Sequence, residues 1–285
     1  MKVVVGGIIH DRPGIPGLLE AYLAHVARLR TDDLNVRYVW VVDADGQDLA
    51  LAIRWAIPEA HLVHVQEPLP GSRYERGASG NHSSYARLAV LRNTLAQEAL
   101  RFGAEALLSI DSDILVPANL TLLLRDAGWP WVAALVRNRP DFLHLGTYPS
   151  DSIEDRWWNV LWFPRQEGRP VFQHFKAIGI GPDETTWPRG AAIADQQEPF
   201  HNRLGTGAVC WYQRDLLERF KWETKVPSPG DPTGEQCRGE DVGFSIHALN
   251  AGVSAAYVPT ICDHIMDSAT MERHRQQCPT CVLRT

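Results

Sequence analysis

The sequence predicts an α/β fold: a mixed, mostly parallel sheet flanked by helices on both faces. Two observations predict it. Short runs rich in Val, Ile and Leu recur through the first 136 residues, bounded by Gly, Pro or acidic residues, as buried strands are. Between them lie stretches with apolar residues at helical spacing. Strands that alternate with helices imply parallel pairing under helical cover.

In order, residues 3–9 (VVVGGII) read as the first buried strand, closed by Asp11-Arg12-Pro13-Gly14. Residues 16–30 place Leu18, Leu19, Tyr22, Leu23, Val26 and Leu29 on one helical face. Residues 36–46 form a second strand ending in acids and Gly, 47–57 a helix, and 61–65 a short third strand. A polar loop rich in Gly and Ser follows. Ser83 to Phe102 is a long helix stopped by Gly103, 106–110 a strand, 117–126 a short helix opened by Pro, and 131–136 another strand.

The alternation breaks from about 138 to 203, where Pro, Gly and Trp are frequent. A stretch that long inside one chain is usually functional. Residues 205–213 resume as a strand and lead into a helix at 214–220. A Pro/Gly-rich loop spans 227–239, a helix begins near Glu240, and 254–260 is the last strand. There is no internal repeat and no clean linker. The expectation is one domain over 1–285, with 138–203 an irregular insertion and 267–285 a C-terminal tail.

Composition narrows the function classes. The chain has 285 residues, 45 % hydrophobic and 22 % charged, enough for a substantial core. A net charge of -6 with no basic run argues against nucleic acid as partner. The N-terminal apolar stretch is too short for a signal peptide or a spanning helix, and no other segment is long enough. The expectation is a cytoplasmic chain or one peripheral to a membrane, with no transmembrane segment. Five scattered cysteines are not a secreted disulfide framework. Cys278 and Cys281 have metal-ligand spacing, but a structural zinc site usually shows two such pairs.

The chemistry concentrates at residues 107–117, LLSIDSDILVP. A hydrophobic run stops at Asp111-Ser112-Asp113. Ionised carboxylates avoid dry surroundings unless paired or bound to a cation. In open α/β sheets ligands bind beyond the carboxyl ends of the strands, where this pair sits. On extended backbone, positions 111 and 113 point the same way. Two converging carboxylates suit Mg²⁺ or Mn²⁺, which prefer carboxylate, phosphate and water oxygens. Three features give context: Arg92-Asn93 on the preceding helix, Glu240-Asp241 opening a helix after the Pro/Gly-rich loop, and Cys262-Asp263-His264 after the last strand.

This order resembles the GT-A fold nucleotide-sugar glycosyltransferases, most closely the family 2-like group, over 1–136 and 205–266. The resemblance implies a nucleoside-diphosphate sugar donor held by 1–136, a hydroxyl acceptor served by 137–266, and a Mn²⁺ or Mg²⁺ cofactor. It implies Asp113 as the main metal ligand, Asp111 as a second ligand facing the donor's ribose or sugar, and His264 as a metal or diphosphate ligand. Asp241, or Glu240, would be the base that deprotonates the acceptor. Ile9, His10 and Arg12 would line the nucleoside pocket, Asp43 would meet the nucleobase, and Arg92 would hold phosphate or position its neighbours. A base opposite the diphosphate implies inversion. Trp157 and Trp158 are candidate acceptor contacts, since aromatic faces suit sugar rings. The loop 227–239 is expected to close over the donor.

Two other readings remain. A nucleotidyltransferase shares the layout but usually carries a Gly-rich basic loop after its first strand, where this chain has GGIIHDRPG. A non-catalytic nucleotide-sugar or glycan binder would need no base.

Overall fold

Strand β1 (Lys2–Ile9) is buried from Val3 onward and organises both layers of the core. Val3, Val5 and Ile9 face one cluster, with Leu18, Tyr22 and Val26 of α1 (Leu18–Ala27), Ile53 of α2 (Gln47–Ala56) and Leu120 of α4 (Leu120–Asp126). Val4 and Ile8 face the other, with Leu91 and Leu95 of α3 (Ser83–Phe102), Leu216 of α5 (Arg214–Arg219) and Phe244 of α6 (Glu240–Asn250). Side chains alternate across a strand, so an all-apolar strand feeds two cores. Each fully buried Val, Leu or Ile contributes about 1.5–3 kcal/mol of transfer free energy. The computed structural model describes residues 1–9, 14–42, 47–65, 83–137, 200–202, 208–227, 232–234, 239–253, 255–265 and 267–277.

The remaining strands are β2 (Asn35–Val42), β3 (His61–His64), β4 (Ala106–Ile110), β5 (Ile114–Leu115), β6 (Trp131–Arg137), β7 (Phe200–Asn202), β8 (Val209–Gln213) and β9 (Ala255–His264). Their order is β3-β2-β1-β4-β8-β6-β9-β5, with β7 also on β9. Strands β1, β2, β3, β4, β6 and β9 run one way; β8, β5 and β7 run the other. The sheet is therefore the mixed, mostly parallel one expected. Chain order reverses between β1 and β4, which makes their carboxyl ends a topological switch point. Ile9, Ile110 and His264 all end strands on that edge.

Three elements differ from expectation. The last strand does not stop at 260 but runs to His264, so Cys262-Asp263-His264 lies within β9 rather than after it. Pro259 lacks an N–H, which suggests an end. The ladder instead slips between Ala134 and Leu135, passing from Val258 to Ile261 and setting residues 259 and 260 aside. Strand β5 is only two residues long, too short to show periodicity. Within 267–285, Ser268–Gln277 form a helix, α7, although the segment reads as a polar tail. Asp267 caps it: its Oδ1 accepts the Thr270 N–H at 2.7 Å and the Thr270 hydroxyl at 2.6 Å.

Helix α7 docks through histidines. His274 Nδ1 lies 3.5 Å from Asp263 Oδ2, and its ring centroid is 5.3 Å from that of His25. His25 Nδ1 is 2.7 Å from the Val116 carbonyl oxygen. Among the described residues neither Nε2 has a hydrogen-bond partner. Burial, then His274 and Arg28, hold His25 below its ordinary pKa, against the opposite pull of Val116 and Asp263. The unfolded chain takes up this proton near pH 6.5, while the native imidazole resists it. Stability from this group is therefore lost as pH falls below about 6.5. In urea titrations from pH 7.5 to 5, His25→Gln, whose amide can still serve Val116, is expected to lose less stability than the native chain. Parallel curves would reject this role.

Candidate active site

The acidic pair sits on a turn, not on extended backbone. The Ile114 N–H donates to the Asp111 carbonyl at 3.0 Å, which folds Asp111-Ser112-Asp113 into a tight bend between β4 and β5. Asp and Ser favour such bends because their side chains tolerate turn geometry. The extended-backbone reason for grouping the two carboxylates is thus replaced by a turn held from several sides. The Asp111 N–H donates to Ala208 O at 2.9 Å, and the Ile265 N–H donates to Asp113 O at 2.8 Å.

Arg92 of α3 joins this turn to the start of α6. Its Nη2 donates to Asp111 Oδ1 and Oδ2 at 3.0 and 3.2 Å, and its Nε donates to Glu240 Oε1 at 3.0 Å. Arg92 and Glu240 are buried, whereas the Asp111 side chain keeps 24 % exposure. Arg92 thus serves the site, while Glu98, on the same helix, pairs with Arg101 and His61.

Burial pushes Asp111 up to about 6, opposed by Arg92 and reinforced by Asp113. Burial pushes Glu240 up to about 7, reinforced by Asp241 and opposed by Arg92. Burial also works against the charge of Arg92, but its two carboxylates win and raise its pKa. Asp111, Asp113, Glu240 and Asp241 together carry more negative charge than one guanidinium neutralises.

Asp113 and His264 form the other half. Both are buried, and His264 Nε2 lies 3.0 Å from Asp113 Oδ2. Pairing of Ile114 with His264 in the β5–β9 ladder brings them together. Asp241 is half-buried on the first turn of α6, near enough to Asp111 and Glu240 to raise both pKa values. Ile9 ends β1 beside this edge, but its side chain is fully buried in the core. His10, Arg12, Asp43, Trp157, Trp158, Cys278 and Cys281 lie outside the described residues, as does most of 138–203 and of the 227–239 loop.

Among the described residues no group of three or more His, Cys, Asp or Glu side chains forms a ready metal cage. The donor chemistry still fits a hard divalent cation. Mg²⁺ is commonly held by one or two carboxylates plus substrate phosphates and water, not by an all-protein cage. An oxygen-rich cluster with surplus negative charge and an adjacent imidazole meets that requirement.

The position of α6 depends on a residue that the sequence shows only as the neighbour of Arg92. Asn93 Nδ2 donates to Trp222 O at 2.8 Å, and its Oδ1 accepts the Trp222 N–H at 3.0 Å. The Trp222 ring stacks on Phe244 of α6 at 4.4 Å. Gly243 then allows α6 to press on this segment: a Cβ there would fall 1.7 Å from Glu223 O. Arg92 and Asn93 therefore address the turn, the helix start and the bed beneath that helix. The glycine inside GEDVGF was the available signal, since a mid-helix glycine often marks close approach.

No family model matches the chain. No curated protein matches it by sequence. Solved structures similar to it include the mannosyltransferase PcManGT from Pyrobaculum calidifontis in complex with GDP-Man and Mn²⁺, at TM-score 0.48 and 17 % identity, covering 97 % of this chain and 60 % of that one. Another is TarS from S. aureus, at TM-score 0.45 and 13 % identity, covering 90 % of this chain and 36 % of that one. The chain thus spans less than two thirds of the length of either. At these scores neither likeness bears on activity. Strand order and direction define the fold on their own. No helix among the described residues is long and apolar enough to cross a membrane.

Proposed function

We propose that the chain is a GT-A-type, metal-dependent glycosyltransferase that moves a sugar from a nucleoside-diphosphate sugar to a hydroxyl acceptor, with inversion. One observation carries the reading. At the β1/β4 switch point, Arg92 ties the Asp111–Asp113 turn to the Glu240–Asp241 helix start, so the candidate cation ligands and a candidate base share one edge.

Asp113 and His264, with Asp111 beside them, would hold Mn²⁺ or Mg²⁺. Such an ion supplies Lewis-acid neutralisation of the departing diphosphate. Asp111, partly exposed, would face the donor's ribose or sugar. Asp241, half-buried on the first turn of α6, would be the base, while Glu240 is held by Arg92. As the acceptor oxygen bonds to the anomeric carbon, the bond to the diphosphate breaks and the acceptor proton passes to the Asp241 carboxylate. Arg92 has both ends of its guanidinium engaged by carboxylates, which favours a positioning role over phosphate binding. Between 1–136 and 137–266, the first half would hold the donor and the second the acceptor. Ile9 would contribute through its backbone; His10, Arg12 and Asp43 remain proposed donor contacts, and Trp157 and Trp158 proposed acceptor contacts.

Thermal denaturation with a panel of nucleoside diphosphates, with and without Mn²⁺, tests the reading. A binding nucleotide is expected to raise Tm, with a larger rise in Mn²⁺, because ligands that bind only the native state stabilise it. Asp113→Asn is expected to lose the Mn²⁺-dependent part. No shift with any nucleoside diphosphate, metal present or not, would overturn the reading.

A further inference from the structure

The sequence presents Tyr22 as one apolar position in a helical stripe, where Phe or Leu would pack as well. The structure gives its hydroxyl a specific task. Tyr22 is fully buried, and an unpaired buried hydroxyl is costly. Here it is paired on both sides. It donates to the Ile110 carbonyl at 3.1 Å, and it accepts the Trp40 Nε1–H at 3.1 Å. Ile110 is the last residue of β4, directly before Asp111. Gly7 of β1 closes the same spot: a Cβ there would fall 2.1 Å from Ile110 O and 3.4 Å from the Tyr22 hydroxyl.

Three elements, α1, β1 and β2, thus converge on one carbonyl at the root of the acidic turn. The front of the turn is held by Arg92, Ala208 and His264; this contact holds it from behind. Burial keeps Tyr22 a neutral phenol, against the Trp40 hydrogen bond, with Asp111 and Asp113 pushing the same way as burial. A neutral hydroxyl keeps its proton and remains a donor to Ile110.

We propose that Tyr22 is a positioning residue for the cation site: its hydroxyl, given room by Gly7, pins the Ile110 carbonyl and so sets where the Asp111 and Asp113 carboxylates stand. The cation itself rests on the function proposed above; the bracing of the turn does not.

The test compares Tyr22→Phe with Trp40→Phe. Tyr22→Phe removes only the hydroxyl. Trp40→Phe removes the other hydrogen bond and opens space in the core, but leaves the Tyr22–Ile110 bond. In metal-free protein, amide exchange at Asp111 and Ile114 is followed in fragments covering 107–117. Free Mn²⁺ is titrated by electron paramagnetic resonance. Tyr22→Phe is expected to speed exchange at those two amides by about five- to ten-fold, the scale set by one net hydrogen bond. It is also expected to weaken Mn²⁺ binding by about ten-fold, as loss of an outer partner of a metal ligand does. Trp40→Phe is expected to lower the urea midpoint with smaller changes in both readouts.

Native exchange rates in Tyr22→Phe would overturn the proposal whether or not Mn²⁺ binds. Equal loosening by the two variants would reduce the contact to general core stability and overturn it too. A native chain that binds no Mn²⁺ either alone or with a nucleoside diphosphate, while Tyr22→Phe still loosens the turn, would sink the metal reading and leave the brace standing.

Discussion

Arg92→Met is expected to destabilise the protein by about 3–5 kcal/mol at pH 8, the usual consequence of removing one partner from a buried charge cluster. Methionine fills much the same volume, so the loss is electrostatic. It strands Glu240 and Asp111 beside Asp241 and Asp113 with no guanidinium between them. The sign of the pH dependence identifies the cause. In the native chain Glu240 sits at about 7 and Asp111 at about 6, both above ordinary carboxylates. The folded state therefore binds more protons than the unfolded one between about pH 4 and 7, so these two groups favour folding in acid and lose that contribution as pH rises. Without Arg92 the carboxylates shift further up and the window widens. Urea unfolding of Arg92→Met at pH 5 and pH 8 is expected to show a much smaller deficit at pH 5. An equal deficit at both would assign the loss to packing.

Asp241→Asn is expected to lower transfer by about 10²- to 10⁴-fold, the range for loss of a general base, while leaving nucleotide and Mn²⁺ binding near native. Asn matches the shape of Asp but accepts no proton at neutral pH. Turnover measured beside donor affinity separates the outcomes. Lost turnover with intact binding supports the base role and excludes a purely binding protein. Full activity removes Asp241 from the mechanism. Glu240→Gln is the paired control. Arg92 keeps Asp111, so its fold is expected to hold; if it alone abolishes turnover, the base is Glu240.

Much of the site's chemistry was legible because acids that interrupt a buried strand are costly and need a reason. Asp111 and Asp113 stand out on that ground, and the alternation of elements places them at the carboxyl edge of the sheet; Glu240 and Asp241 open a helix, where acids are common, and their role was implied only by the family resemblance. Their pairings were not legible. Arg92 reaches Glu240 across 148 residues and Asp113 reaches His264 across 151. No local pattern encodes such distances. Tyr22 and Asn93 were hidden for a related reason: one is indistinguishable from apolar filler, and the other acts on backbone that only tertiary packing brings near. Helix α7 was missed because its polar sequence lacks a clear apolar stripe, although Asp267 three residues before Thr270 was a readable cap.

By itself the sequence determined the alternating layers, the apolar strands that must be covered on both faces, and the arrival of carboxylates at strand ends, since burial and periodicity are local consequences of residue type. Only the tertiary structure decided that Arg92 holds Asp111 and Glu240 together, and that the acidic pair sits on a turn braced from behind. Those are matters of distance, and distance between residues far apart in the chain is set when the sheet closes.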